Sequence, residues 1–104
     1  MTVLITGASR GIGKAIAEIF AANGKSLFLS SRNEVALYKV MEELQTKHPS
    51  VSLKAKAFDL SDKQQAKGLG SWCLKYAVPD IIINNAGLFN KRPSVIKELS
   101  STFE

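Results

Sequence analysis

Residues 6–13 read Thr6-Gly7-Ala8-Ser9-Arg10-Gly11-Ile12-Gly13, three glycines set between the apolar run Val3-Leu4-Ile5 and a helix-like stretch from Lys14 to Asn23. A strand that ends in such a turn and re-enters as a helix leaves backbone N–H groups unshielded at the positive end of a helix dipole. Glycines there let the chain turn tightly and approach a ligand closely, which is what a pyrophosphate requires. Ile12, Ile16, Ile19 and Phe20 recur at helical spacing, Asn23-Gly24 supplies a stop, and Leu27-Phe28-Leu29 opens a second apolar run. The β-turn-α-β unit so formed has the extent a dinucleotide fingerprint needs, and the turn is expected to bind a dinucleotide.

The alternation continues beyond the second strand. Asn33 is placed as an N-cap, and Leu37, Val40, Met41 and Leu44 form a helical stripe ending near His48-Pro49. Val51, Leu53, Ala55 and Ala57 then alternate with Ser52, Lys54 and Lys56, the period of a strand with one wet face, and lysine there discourages edge pairing. Ser61-Asp62-Lys63-Gln64 has the form of a capping box, followed by Ala66, Leu69, Cys73 and Tyr76 at helical spacing. Gly68 and Gly70 weaken that third helix by about 1 kcal/mol each relative to alanine. After Pro79, the run Asp80-Ile81-Ile82-Ile83-Asn84 reads as a strand buried on both faces.

Strands alternating with helices imply a parallel sheet, predicted in the order 3-2-1-4. The isoleucine-rich fourth strand would then form an edge with no lysine or proline to protect it, so more structure is expected beyond it, or self-association through it. Ser101-Thr102-Phe103-Glu104 is another capping-box pattern, the entrance of a helix without its body. Residues 1–104 are therefore expected to be the N-terminal part of one domain, incomplete at its C-terminus.

Composition narrows the alternatives. The chain has 104 residues, 45% of them hydrophobic and 22% charged, and no apolar run of membrane-spanning length. No basic region precedes the first strand, so no signal peptide is read and a cytoplasmic location is expected. Cys73 is the only cysteine and His48 the only histidine, which supports neither a disulfide nor a metal site; Cys73 is expected to act as a buried small hydrophobe. The net charge of +5 is scattered, with Lys91-Arg92 the longest local cluster and no aromatic ladder around it, so nucleic acid is not expected as a partner.

The turn Thr6-Gly7-x-x-x-Gly11-x-Gly13, the Asp59-Leu60 pair after the third strand and Asn84-Asn85-Ala86-Gly87 after the fourth resemble the short-chain dehydrogenase/reductase family in its non-extended branch. The resemblance covers essentially the whole chain and implies a Rossmann-type α/β fold. It also implies roles. Gly7, Ser9, Arg10, Gly11, Ile12 and Gly13 would line the pyrophosphate and adenosine ribose, with Thr6 holding the turn. Asp59 would accept from the adenine amino group beside the Leu60 backbone, and Asn85, Ala86 and Gly87 would approach the ribose and nicotinamide. Asn84 would tie the central strands together.

Cofactor choice follows from charge. The second strand ends in Ser30-Ser31-Arg32, with no carboxylate to hold ribose hydroxyls or repel a 2′-phosphate. Arg32 and Arg10 could clamp that phosphate, so NADP(H) is expected over NAD(H). The family's reaction centre is a Ser with a Tyr and a Lys four residues apart, and none is assignable here: four residues after Tyr38 and Tyr76 stand Glu42 and Asp80. The chain thus carries a cofactor cradle for a carbonyl–alcohol oxidoreductase, with Leu88, Phe89 and Asn90 marking the approach to the substrate site. A full-length parent would form homo-oligomers. The alternative is a truncated binding module, without catalysis, that associates with a full-length relative.

Overall fold

The computed structural model describes residues 1–85, so Ala86 to Asn90, Lys91-Arg92 and the Ser101–Glu104 pattern lie outside the described residues. In chain order the elements are β1 (Thr2–Thr6), α1 (Gly11–Ala22), β2 (Ser26–Ser31), α2 (Glu34–Lys47), β3 (Leu53–Ala57), α3 (Lys63–Leu74) and β4 (Ile81–Asn84). The strands form one parallel sheet ordered β3-β2-β1-β4, as the alternation predicts. Its register places Thr6 beside both Ser30 and Asn84 at the C-terminal ends of the strands.

Strand parity divides the core in two. Val3, Ile5, Leu27 and Leu29 point to one face and meet Ala17 and Ala21 of α1 and Leu37, Val40 and Leu44 of α2. Leu4 and Phe28 point to the other and meet Ala66, Leu69, Trp72 and Cys73 of α3. Both faces are covered, so the central strands read as continuous apolar runs.

Helix α1 departs from the sequence reading. It starts at Gly11, not Lys14, and its buried residues are Gly13, Ala17 and Ala21, while Ile12 and Ile19 are about 60% exposed. Ile16 and Phe20 are partly buried and pack against the core from the flank of this stripe. Small side chains at i, i+4 and i+8 let the helix approach the sheet closely; the larger residues mark its sides.

Three other expectations change in detail. Ser61 is not the N-cap of α3: Asp62 is, its Oδ1 accepting from the Gln64 N–H at 2.9 Å. Tyr76 falls beyond the helix end and is 54% exposed, with its ring against Phe28 and Trp72 and the Lys54 ammonium 4.5 Å from its centre. Strand β4 is half-buried throughout, not sealed on both faces, because among the described residues it pairs only with β1. The glycines of α3 do not break it. A Cβ at Gly68 would stand 3.3 Å from the Phe58 ring, so the bare backbone gives that ring its place.

The remaining assignments match. Asn33 Oδ1 caps α2 by accepting from the Ala36 N–H at 3.1 Å, and the helix ends at His48. Cys73 is fully buried, and burial pushes its thiol up to about 12. Because the raised value keeps sulfur protonated at every pH below it, thiolate is scarce at pH 8. Ellman's reagent at that pH is expected to leave the folded chain unlabelled and to react with one thiol once denaturant is added; fast labelling of folded protein would contradict the packing. No helix among the described residues is long and apolar enough to cross a membrane.

Candidate functional site

The C-terminal ends of β1, β2 and β3 open into one cleft of about 900 Å³. That is the size range of small-molecule sites, and the end of a parallel sheet is where they form. The cleft contains Gly7, Ser9, Arg10, Gly11 and Ile12 from the glycine turn, Arg32 after β2, Asp59 and Leu60 after β3, and Asn85 after β4. Nine of the predicted site residues therefore converge, although they come from four separate stretches of chain. Gly13 is buried behind the lining, and Ala86 and Gly87 lie outside the described residues.

The turn's shape depends on backbone freedom. Gly7 and Gly11 have φ of 64° and 58°, the left-handed region that side chains disfavour. Gly13 is needed for space instead: a Cβ there would stand 2.1 Å from the Gly7 carbonyl oxygen and 2.7 Å from Asn85 Nδ2. Asn85 Nδ2 itself donates to that carbonyl at 3.1 Å, and Thr6 Oγ1 donates to Asn84 Oδ1 at 2.7 Å. Both asparagines thus brace the first strand and its turn from β4. The N-cap of α1, Arg10, makes no side-chain capping bond, so nothing of its own covers the helix's leading N–H groups.

A chain of hydroxyls underlies the basic side of the cleft. The Asn33 N–H donates to Ser31 Oγ at 3.1 Å, and Ser31 Oγ donates to Ser9 Oγ at 2.8 Å, which leaves the Ser9 proton free to meet an acceptor in the cleft. Arg10 and Arg32 are exposed at the same place and enter no ion pair among the described residues. Asp59 is the only carboxylate among the described residues of the lining. The Ser61 hydroxyl and backbone N–H, at 2.7 and 3.0 Å from its Oδ1, hold its carboxyl below the usual value, and the charge of Arg32 adds to this.

Sequence reasoning missed Ser30, Ser31, Asn33, Ala36, Phe58 and Ser61 as lining residues. Sequence adjacency was the available signal for two of them, because Ser30 and Ser31 end the second strand directly before Arg32. Ser30 Oγ is buried without a hydrogen-bond partner among the described residues. An orphaned hydroxyl in a binding wall is a group a ligand can satisfy.

The described parts match a polyanionic nucleotide: a cradle open at Gly11, where a Cβ would meet nothing, two unpaired guanidiniums, a donor-rich rim, and one fixed carboxylate beside the apolar Phe58 and Leu60. No group of three or more His, Cys, Asp or Glu that could hold a metal occurs among the described residues.

Comparison with known proteins agrees with this architecture. The chain is 32% identical over 104 residues to the NADPH-dependent pterin aldehyde reductase of Arabidopsis thaliana, covering 99% of this chain and 42% of that protein. It is 39% identical over 88 residues to the NADPH-dependent reductase BacG of Bacillus subtilis, covering 81% of this chain and 33% of that protein. Among solved structures, a short-chain dehydrogenase from Sphingobium yanoikuyae in complex with NADPH superposes with a TM-score of 0.85 at 29% identity, covering 98% of this chain and 46% of that one. The chain thus spans between a third and a half of the length of these relatives. With the short chain dehydrogenase family matched over residues 1–103, this chain belongs to that family.

Proposed function

We propose that the chain is the cofactor-binding portion of an NADP(H)-dependent oxidoreductase that interconverts a carbonyl and an alcohol. The observation that carries the reading is Arg32 at the end of β2, facing the same cleft as Arg10 and the glycine turn, with no carboxylate at that strand end. Anionic oxygens are drawn to that side, and Asp59 repels them from the other. The phosphates therefore lie over the turn and the arginines, and the base lies beside Phe58, Asp59 and Leu60. The Ser9 hydroxyl donates a hydrogen bond to the anion, and Ile12 offers an apolar contact at the mouth. When bound, the cofactor would give a hydride to the carbonyl as NADPH or take one from the alcohol as NADP+; the residues here hold and orient the cofactor. NADPH-dependent relatives support the choice of cofactor.

Residues 1–104 form the incomplete N-terminal part of the Rossmann-type domain in this reading, and the proton donor belongs to the missing part. The test is fluorescence titration of this chain with NADPH and NADH at low salt. Tighter binding of NADPH by an order of magnitude or more is expected; equal affinity would remove the basis for the arginine clamp.

One observation favours a second reading, a binding module that self-associates: the outer edge of β4 is unpaired among the described residues and carries three isoleucines. Size-exclusion chromatography with light scattering separates the two. A dimer that dissociates when Ile82 is replaced by lysine supports the module, and a monomer at all concentrations excludes it.

A further inference from the structure

We propose that Gln65 is a positioning residue that, together with Ser61, clamps Asp59 as a fixed reader of the purine 6-position; this rests on the nucleotide reading above.

Asp59 is held from two sides. Its backbone N–H donates to Gln65 Oε1 at 2.7 Å, and its Oδ1 accepts both the Ser61 N–H and the Ser61 hydroxyl. Gln65 sits in the first turn of α3, whose N-cap is Asp62, and its Nε2 reaches Asp62 Oδ2 at 3.5 Å. The Asp62 N–H in turn donates to the Asp59 carbonyl. Helix α3 is anchored to the sheet through Ala66, Leu69, Trp72 and Cys73, so the side chain of Gln65 starts from a rigid base.

This arrangement has a chemical consequence. With Oδ1 taken by two donors, Oδ2 is the oxygen Asp59 has left for a ligand in the cleft it lines, and the backbone that carries the carboxylate is fixed by the N–H bond to Gln65. A carboxylate acceptor favours a purine bearing a 6-amino donor and disfavours one bearing a 6-oxo acceptor. A loosely held carboxylate would turn away from the 6-oxo group and lose the distinction. Gln65 does not line the cleft, so it acts through Asp59 without touching the base.

The experiment measures binding of NADPH and of its 6-oxo analogue, deamino-NADPH, to this chain. Wild type is expected to prefer the 6-amino form by about tenfold, the scale of one hydrogen bond to a charged group. Gln65→Met keeps the length of the side chain and deletes the acceptor; Ser61→Ala deletes the other side of the clamp. Each is expected to reduce the preference to about twofold or threefold, while Gln65→Glu, which can still accept from the Asp59 N–H, restores it. Because Gln65 and Ser61 are exposed, the variants are expected to keep wild-type thermal stability within a few degrees. If Gln65→Met retains the full preference while Asp59→Ala abolishes it, the clamp is wrong and the reader stands. If Asp59→Ala also retains it, or wild type binds neither form, the nucleotide reading itself falls.

Discussion

Replacing Gly13 with alanine is expected to cost about 3 kcal/mol of folding stability and to abolish nucleotide binding. The added methyl would sit 2.1 Å from the Gly7 carbonyl oxygen, well inside contact distance, and 2.7 Å from Asn85 Nδ2. Neither neighbour can yield cheaply. The carbonyl belongs to a turn fixed by left-handed backbone at Gly7, and Asn85 is bonded to that same oxygen. Relief requires α1 to lift from the sheet, which undoes the packing of Ala17 and Ala21. For a chain of this size the loss corresponds to a fall in Tm of more than about 10 °C, measurable by circular dichroism. Gly11→Ala is the control: its Cβ meets nothing within 4 Å, and only the positive φ resists it, so a penalty of about 1–2 kcal/mol is expected. Similar Tm values for the two variants would mean that close packing at Gly13 does not shape the turn.

Arg32→Asp is expected to invert cofactor preference. Removing a guanidinium from a phosphate and putting a carboxylate in its place weakens NADPH binding by about 100-fold, the scale of a lost charge-assisted pair. The new carboxylate can accept from ribose hydroxyls, so NADH is expected to bind several-fold more tightly than to wild type. Stability should change little, because Arg32 is exposed and forms no ion pair among the described residues. Asp59 loses a favourable neighbouring charge, while the two Ser61 hydrogen bonds that mainly hold its carboxyl below the usual range stay in place. Titrations of both cofactors against both proteins, at two salt concentrations, decide the matter; an unchanged NADPH affinity in the variant would place the phosphate elsewhere.

Much of this architecture could be read from periodicity and punctuation. The alternation of strand-like runs with helical stripes predicted the sheet order: β1, β2 and β4 announced themselves by β-branched or leucine-rich runs, and β3 by its alternation of apolar residues with lysine. The glycine turn was legible for the same reason. Helix α1 was misread where size and burial part company: Ile12 and Ile19 looked like core, but the sheet comes so close that alanines and Gly13 occupy the contact. The end of α3 was misread because an aromatic residue at helical spacing can pack just as well from beyond the helix, as Tyr76 does on Trp72. The N-cap was displaced by one residue because Asp62 and Ser61 are both competent caps, and Asp59 recruits the serine.

In the cleft, what the sequence could not reveal were relations between separate turns. Ser31 precedes Arg32 and can be suspected from it, but nothing local says that its hydroxyl reaches Ser9, or that Gln65 reaches back to Asp59. Those bonds depend on how the strand ends are staggered, which is a property of the assembled sheet.

Thr2 with Asp80, Thr6 with Asn84 and Gly7 with Asn85 are joined by hydrogen bonds that each bridge 78 positions of chain. Closing a loop of that length is a late, entropically costly event, whereas the β1-α1-β2 portion can assemble from nearer contacts. The glycine turn is therefore fully braced only when the last described strand has docked. A ligand that grips the finished cradle selects chains in which that strand has docked, and so acts as a fastener for the whole sheet.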